Sequence, residues 1–165
     1  MIAIYGATGF TGRQAAAYVA KHGAMPFVLV GRSREKLHAV AAGLPRSAEI
    51  RVADSSDPPS VASALDGARV VVNTAGPYVR YGDPVVAAAV AQGIDYVDIT
   101  GETPWVRSLI DRFDERAREK GVRIVPMCGF DSVPSDLGAF LVARFLGETS
   151  EIYAGFSMKG GLNGG

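Results

Sequence analysis

Cysteine is nearly absent from the chain. Cys128 stands alone among 165 residues, so no internal disulfide framework can form and a reducing cytoplasm is the expected compartment. Histidine is scarce too. His22 and His38 are isolated, no set of Cys, His, Asp and Glu has metal-ligand spacing, and no metal is expected. Net charge is missing: 17 basic residues balance 17 acidic ones, without the basic face of a nucleic-acid binder. No apolar run approaches the roughly 18–20 residues of a membrane span, and no signal-peptide pattern precedes the first apolar run. No Gly-Lys-Ser or Gly-Lys-Thr is present, which excludes a Walker phosphate loop. Repeats and low-complexity tracts are lacking as well.

What remains is a chain that is 48% hydrophobic, enough for one domain with a real core and too short for two comfortable ones. Short β-branched runs alternate with helical segments: Ile2–Tyr5, Phe27–Val30, Glu49–Ala53, Arg69–Asn73, Tyr96–Ile99 and Val122–Met127. Several have no polar alternation, as strands buried on both faces of a parallel sheet do not. The helices between them carry readable ends. Ser33 can cap Arg34–Ala42, and Asp57-Pro58 opens a helix to Leu65. Asp83-Pro84 and Thr103-Pro104 each place a capping side chain before a proline at the first helical position. Gly23, Gly93 and Gly121 stand where helices should stop. From Trp105 to Lys120 the stripe Val106, Leu109, Ile110, Phe113, Ala117 keeps helical spacing, opposite a charged, solvated face. With right-handed crossovers this alternation predicts an α/β, doubly wound, Rossmann-type parallel sheet of strand order 3-2-1-4-5-6. Glu151–Met158 reads as one further strand before the glycine-rich KGGLNGG. The division expected is a nucleotide-binding domain over 1–147 and the start of a truncated second domain over 148–165.

Residues 5–13 read YGATGFTGR, with Gly6, Gly9 and Gly12 placed where the first strand turns into a helix. In a doubly wound sheet this turn faces a dinucleotide pyrophosphate, and the helix N-terminus offers free N–H groups and positive potential. Gly6 makes the turn, Gly9 allows close approach, and Gly12 lets the helix pack on the strand. Thr8 and Thr11 add hydroxyls that can donate to phosphate oxygens, and Phe10 lies between them in the same loop. A tight turn without a ligand is the alternative. The second strand indicates which dinucleotide binds. An NAD binder usually ends it with an acidic residue on the ribose hydroxyls. Here PFVLV runs into Gly31-Arg32-Ser33-Arg34, with no carboxylate until Glu35. A carboxylate would repel a 2′-phosphate, whereas the Arg32 guanidinium can hold it bidentately, with Ser33 beside it and Arg34 or Arg13 assisting. The expected cofactor is therefore NADP(H). Asp54, with Ser55 after the third strand, either contacts the adenine amine or caps its own turn. Thr74, Ala75, Gly76 and Pro77 should lie under the nicotinamide-proximal half.

Residues for chemistry are harder to name. None of Tyr5, Tyr18, Tyr78, Tyr81, Tyr96 and Tyr153 has lysine four residues on, so the proton-donor pair of short-chain dehydrogenases is absent. Tyr78 and Tyr81 follow the fourth strand at the ligand edge, where either one stacks on a substrate or simply packs. Asp98, Thr100, Gly101 and Glu102 end the fifth strand's DYVDITGE at the same edge, where a carboxylate can orient substrate, unless Glu102 merely precedes a cap at Thr103. Asp131 is the remaining weak candidate, unless it only fixes the turn into the last helix. Cys128 has no histidine beside it and reads as a small buried residue.

The blocks GATGFTGR, GRS with KL, NTAGPYVRYGDPVVAAA, DYVDITGE and CGFDSVPSDLGAF together resemble the saccharopine dehydrogenase-like NADP-binding domain, and more narrowly its bacterial trans-acting enoyl reductase branch. The resemblance covers nearly the whole chain in order. It implies an NADP(H)-dependent oxidoreductase whose cofactor domain is followed by a substrate and dimerisation domain, with small-molecule or lipid-like substrates. A non-catalytic NADP-sensing or interaction module is the competing expectation.

Overall fold

The computed structural model describes residues 1–157. Six strands form one parallel sheet: β1 (Ile2–Tyr5), β2 (Phe27–Gly31), β3 (Glu49–Val52), β4 (Val70–Asn73), β5 (Asp95–Asp98) and β6 (Ile124–Val125). Their order is β3-β2-β1-β4-β5-β6, as the alternating pattern requires. The helices are α1 (Phe10–His22), α2 (Arg34–Ala42), α3 (Pro58–Leu65), α4 (Tyr78–Gln92), α5 (Thr103–Lys120) and α6 (Val133–Leu146).

Alternation along the strands divides the core between two faces. Ile4, Phe27 and Leu29 meet Ala16, Ala20 and Leu37 beneath α1 and α2. Ala3, Tyr5, Val28, Val30, Val71 and Tyr96 meet Val61, Val85, Val86, Leu109 and Phe113 beneath α3, α4 and α5. Register then aligns the strand ends. Tyr5 pairs with Val30 on one side and Asn73 on the other, and Asn73 pairs with Asp98. The loops after β1, β2, β4 and β5 therefore leave the sheet along one carboxyl edge, with the order reversing between β1 and β4.

Several local expectations hold. The Ser33 hydroxyl accepts from Lys36 N at 3.3 Å and caps α2, and α3 starts at Pro58 after Asp57. Gly93 and Gly121 end α4 and α5 in left-handed conformation, with φ of 73° and 66°.

Others are corrected. Asp83-Pro84 does not begin a helix, because α4 starts at Tyr78 and carries Pro84 inside it. Thr103 is already helical, Glu102 standing before it as the N-cap residue. In the α5 stripe Ile110 faces outward and Trp105 is buried in its place. The sixth strand keeps only Ile124–Val125 of the run 122–127, and Glu151–Ser157 forms no strand; Met158 lies outside the described residues. On α6 no residue is buried: Leu137, Phe140, Leu141 and Phe145 are all exposed. Among the described residues no helix is long and apolar enough to cross a membrane.

Candidate functional site

The β1–α1 turn does three separate jobs with its three glycines. Gly6 has φ +81°, and a Cβ there would lie 2.9 Å from Ala75 N. A Cβ on Gly12 would lie 2.2 Å from Gly6 O, so α1 can sit this close to the strand only without a side chain. Gly9 differs, since the nearest protein atom to its Cβ position is Gly6 O at 3.4 Å. Its missing side chain keeps space open rather than closing a contact. Behind it, α1 begins with no side-chain cap and no acidic residue in its first turn, whereas α2 has Ser33 and Glu35. Among the described residues no side chain caps the first-turn amides of α1, which suits them to an anion.

That turn forms one wall of a cleft of about 220 Å³. Tyr5, Gly6, Thr8 and Gly9 line it from β1–α1; Gly31 and Arg32 from β2; Ala53, Asp54 and Ser55 from β3; Thr74, Ala75, Gly76 and Tyr81 from β4–α4. Thr74 ties the two central strands together, its amide and hydroxyl both donating to Tyr5 O at 2.9 Å. Arg32 is exposed at the end of β2, where its charge reaches Asp54 and Tyr5. The amide and hydroxyl of Ser56 hold the Asp54 carboxyl below its ordinary pKa by donating to Oδ1 at 2.9 and 2.8 Å. Asp54 therefore caps its own turn while lining the cleft. Ser55 Oγ and Tyr5 OH are 2.8 Å apart, and burial pushes the Tyr5 phenol up.

The expected cofactor residues fall into two groups. Gly6, Thr8, Gly9, Gly31, Arg32, Asp54, Ser55, Thr74, Ala75 and Gly76 line the cleft. Phe10, Thr11, Gly12, Ser33 and Pro77 do not: Phe10 is exposed on the first turn of α1, Gly12 is buried under the loop, Ser33 caps α2, and Pro77 precedes α4. Tyr5 and Ala53 were not singled out for the cleft from sequence. Both are hydrophobic strand-end residues, and only register shows that they form its floor.

Of the chemistry candidates, Tyr81 alone reaches the cleft, at 40% exposure. Tyr78 is buried against Trp105, ring centroids 5.6 Å apart, and its hydroxyl donates to Asn73 O at 3.0 Å. Burial raises its pKa, and the packing role expected as the alternative describes it. Asp131 sits against Gly129, where a Cβ would meet its Oδ1 at 2.6 Å, in the turn that leads into α6. Cys128 is exposed, not buried. Two-residue β6 ends before it and α6 does not cover it, although its Sγ turns back to donate to Val125 O at 3.3 Å. Partial desolvation of the sulfur and the nearby Asp98 charge raise the thiol pKa even so.

Beside the cleft runs a buried polar chain through Asn73, Asp98 and Thr100, strand-end residues whose hydrogen bonds to one another and to Tyr96 sequence patterns did not reveal. Asn73 Oδ1 accepts from Ala75 N at 3.0 Å, and Asn73 Nδ2 donates to Tyr96 OH at 3.1 Å. Tyr96 OH donates to Asp98 Oδ2 at 2.8 Å, while Asp98 Oδ1 accepts from the amides of Thr100 and Met127 at 3.0 and 2.9 Å. Burial raises the Asp98 pKa against the lowering effect of these donors. Farther along, Thr100 Oγ1 accepts from Glu102 N at 3.0 Å. The chain ties β4, β5 and the segment after β6 at their carboxyl ends.

The chain is similar to known proteins in sequence and in fold. The trans-acting enoyl reductase of Mycobacterium tuberculosis is 43% identical over 87% of the chain, and that of Mycobacterium leprae is 44% identical over the same share; the match covers 35% of each relative. The Mycobacterium tuberculosis protein Rv2449c is 43% identical over 99% of the chain and 42% of its own length. The chain thus spans well under half of the curated relatives it matches. In structure it is similar to apo saccharopine dehydrogenase (L-Glu forming) from Saccharomyces cerevisiae, with a TM-score of 0.73 at 19% identity over 87% of the chain and 30% of that protein. It is also similar to an NADPH-dependent quinone oxidoreductase from Escherichia coli, with a TM-score of 0.53 at 25% identity over 74% of the chain and 44% of that protein. Residues 2–125 match the saccharopine dehydrogenase NADP-binding domain, and the chain belongs to that family.

Proposed function

We propose that the chain is the cofactor half of an NADP(H)-dependent oxidoreductase whose substrate carries an enoyl group on a small or lipid-like molecule. A second domain beyond residue 147 would supply substrate contacts and pairing between copies. The observation that carries the reading is Gly9, held open above the uncapped first turn of α1 and facing the cleft that Arg32 borders. The donor set fits the cofactor. Unsatisfied amides on α1 suit a pyrophosphate, and a guanidinium where a carboxylate would select NAD suits a 2′-phosphate. When bound, NADPH supplies a hydride. Thr8 and Arg32 hold phosphates, Asp54 and Ser55 border the adenosine side, and Thr74, Ala75, Gly76 and Tyr81 wall the nicotinamide side. The relatives' name supports the substrate class, and their greater length supports the second domain.

Titrating this chain with NADPH and NADH tests the reading. A charge-assisted contact contributes roughly 1.5–3 kcal/mol, so NADPH should bind about ten- to a hundredfold tighter. Arg32→Asp should abolish or reverse that preference. Equal affinity of the unaltered chain for both would remove Arg32 from its role, and binding of neither would remove the reading. Steady-state NADPH oxidation by the longer protein with an enoyl substrate then separates an enzyme from an NADP sensor, since the sensor would bind without turnover.

A further inference from the structure

Helix α4 lacks a cap of its own. Pro77 precedes it and can offer no side-chain acceptor, and no acidic residue lies in its first turn. The cap comes instead from 24 residues downstream: Glu102 Oε1 accepts from Tyr78 N at 2.7 Å, and Oε2 accepts from Val79 N at 2.8 Å. Both carboxylate oxygens are therefore used on the first two amides of another helix, and Glu102 makes no cap bond to α5, where it is the N-cap residue. Glu102 is itself fixed, because its amide donates to Thr100 Oγ1 and Thr100 N donates to the buried Asp98. The anchor thus joins the network at the carboxyl end of β5 to the segment 74–81.

Two consequences meet in the cleft. First, Thr74, Ala75, Gly76 and Tyr81 form its β4 wall, bracketed by the Thr74–Tyr5 bonds at one end and by the Glu102 pair at the other. Second, α1 and α4 both begin beside the cleft, and Glu102 fills the N-terminus of α4 while that of α1 stays uncapped. Of these two ends, that of α1 is the one whose first-turn amides no side chain of the described residues caps.

We infer that Glu102 is a positioning residue for the nicotinamide half of the cofactor: it sets the β4–α4 wall and leaves α1 as the one open pyrophosphate seat of the two. This rests on the cofactor reading above. The adenosine half lies against β2 and β3, on the far side of the switch point from α4, and does not depend on Glu102.

The test compares two probes on the unaltered chain, Glu102→Ala and Glu102→Gln: NADPH, and adenosine 2′,5′-bisphosphate, which carries only the adenosine half. Each is titrated at a temperature where circular dichroism shows full folding. Glu102→Ala should weaken NADPH by about tenfold while the bisphosphate stays within about twofold, since only the larger probe reaches the β4–α4 wall. Glu102→Gln keeps size and one acceptor, so it should show the same selective loss in smaller measure, and it carries the test if the alanine variant fails to fold. Equal losses for both probes, or none for either, would overturn the positioning role. If the unaltered chain binds neither probe, the cofactor reading fails first and takes this inference with it.

Discussion

Gly9 and Gly12 belong to one loop, yet a side chain at each would have a different cost. At Gly12 the added Cβ meets backbone oxygen at 2.2 Å, so even alanine forces α1 off the strand. At Gly9 the nearest atom of the described residues, its chain neighbours aside, stands at 3.4 Å, and a side chain occupies the space over the α1 amides. Gly9→Val should therefore leave the urea unfolding midpoint near that of the unaltered chain while weakening NADPH by more than about tenfold, or about 1.4 kcal/mol. A folded Gly9→Val that binds NADPH normally would show that the loop does not hold the pyrophosphate. The spacing of these glycines between a strand and a helix was visible in the sequence, because local backbone demands leave local traces. Glu102 was visible only as a choice between substrate and a neighbouring cap. Cap patterns run over about four residues, and its partners lie 24 and 23 residues back. Cys128 was misread because residue-type preference for burial says nothing about which helix covers a strand end.

The pairing of α4 with α5 shows how tertiary contacts overrule a cap rule. Pro84 inside α4 removes a backbone hydrogen bond, at a cost of roughly 3 kcal/mol. The fully buried Val85, Val86, Ala89 and Val90 offset it, at roughly 1.5–3 kcal/mol for each valine. Asp83, expected to cap, instead accepts from the Trp105 indole at 2.8 Å and from Arg112, which lowers its pKa. Gly82 is what lets Trp105 lie there, since a Cβ would meet Trp105 Cζ2 at 2.3 Å. Gly82→Ala gains about 1 kcal/mol of helix propensity but overpacks a buried ring. A net destabilisation of about 1–2 kcal/mol is expected, seen as a lower denaturant midpoint at unchanged slope. An unchanged midpoint would mean that Trp105 can move aside freely. At the far ends of β5 and β6, Asp98 makes stability depend on pH. Its folded pKa is raised above the unfolded value, so its contribution is fully present below the unfolded pKa and is lost as pH rises through the folded pKa. The stability difference between the unaltered chain and Asp98→Asn should shrink as pH rises from about 4. A difference that instead grows with pH would place the Asp98 pKa below its ordinary value.

Across the whole molecule, the sheet order and both packed faces follow from six apolar runs separated by helices, and the sequence displays both. How much apolar surface stays open is a property of the assembled fold, and the alternation of runs and helices does not display it. Ile152, Tyr153 and Phe156 are exposed, but the larger part lies on α6, with Phe145 at 88% exposure. A patch of this kind drives association when nothing covers it. Sedimentation of the isolated chain should show concentration-dependent self-association, and Leu141→Glu with Phe145→Glu should abolish it without changing NADPH affinity. A monomer at every concentration would mean that the α6 surface is not sticky. The borrowed cap on α4 also has a history in time. During folding, the first turn of α4 cannot be completed until the segment after β5 has arrived, because its acceptor is carried there. Protection of the Tyr78 and Val79 amides is thus tied to a segment that lies beyond the next strand. Hydrogen exchange at the Tyr78 and Val79 amides should therefore report on the docking of the segment after β5, not on α4 alone.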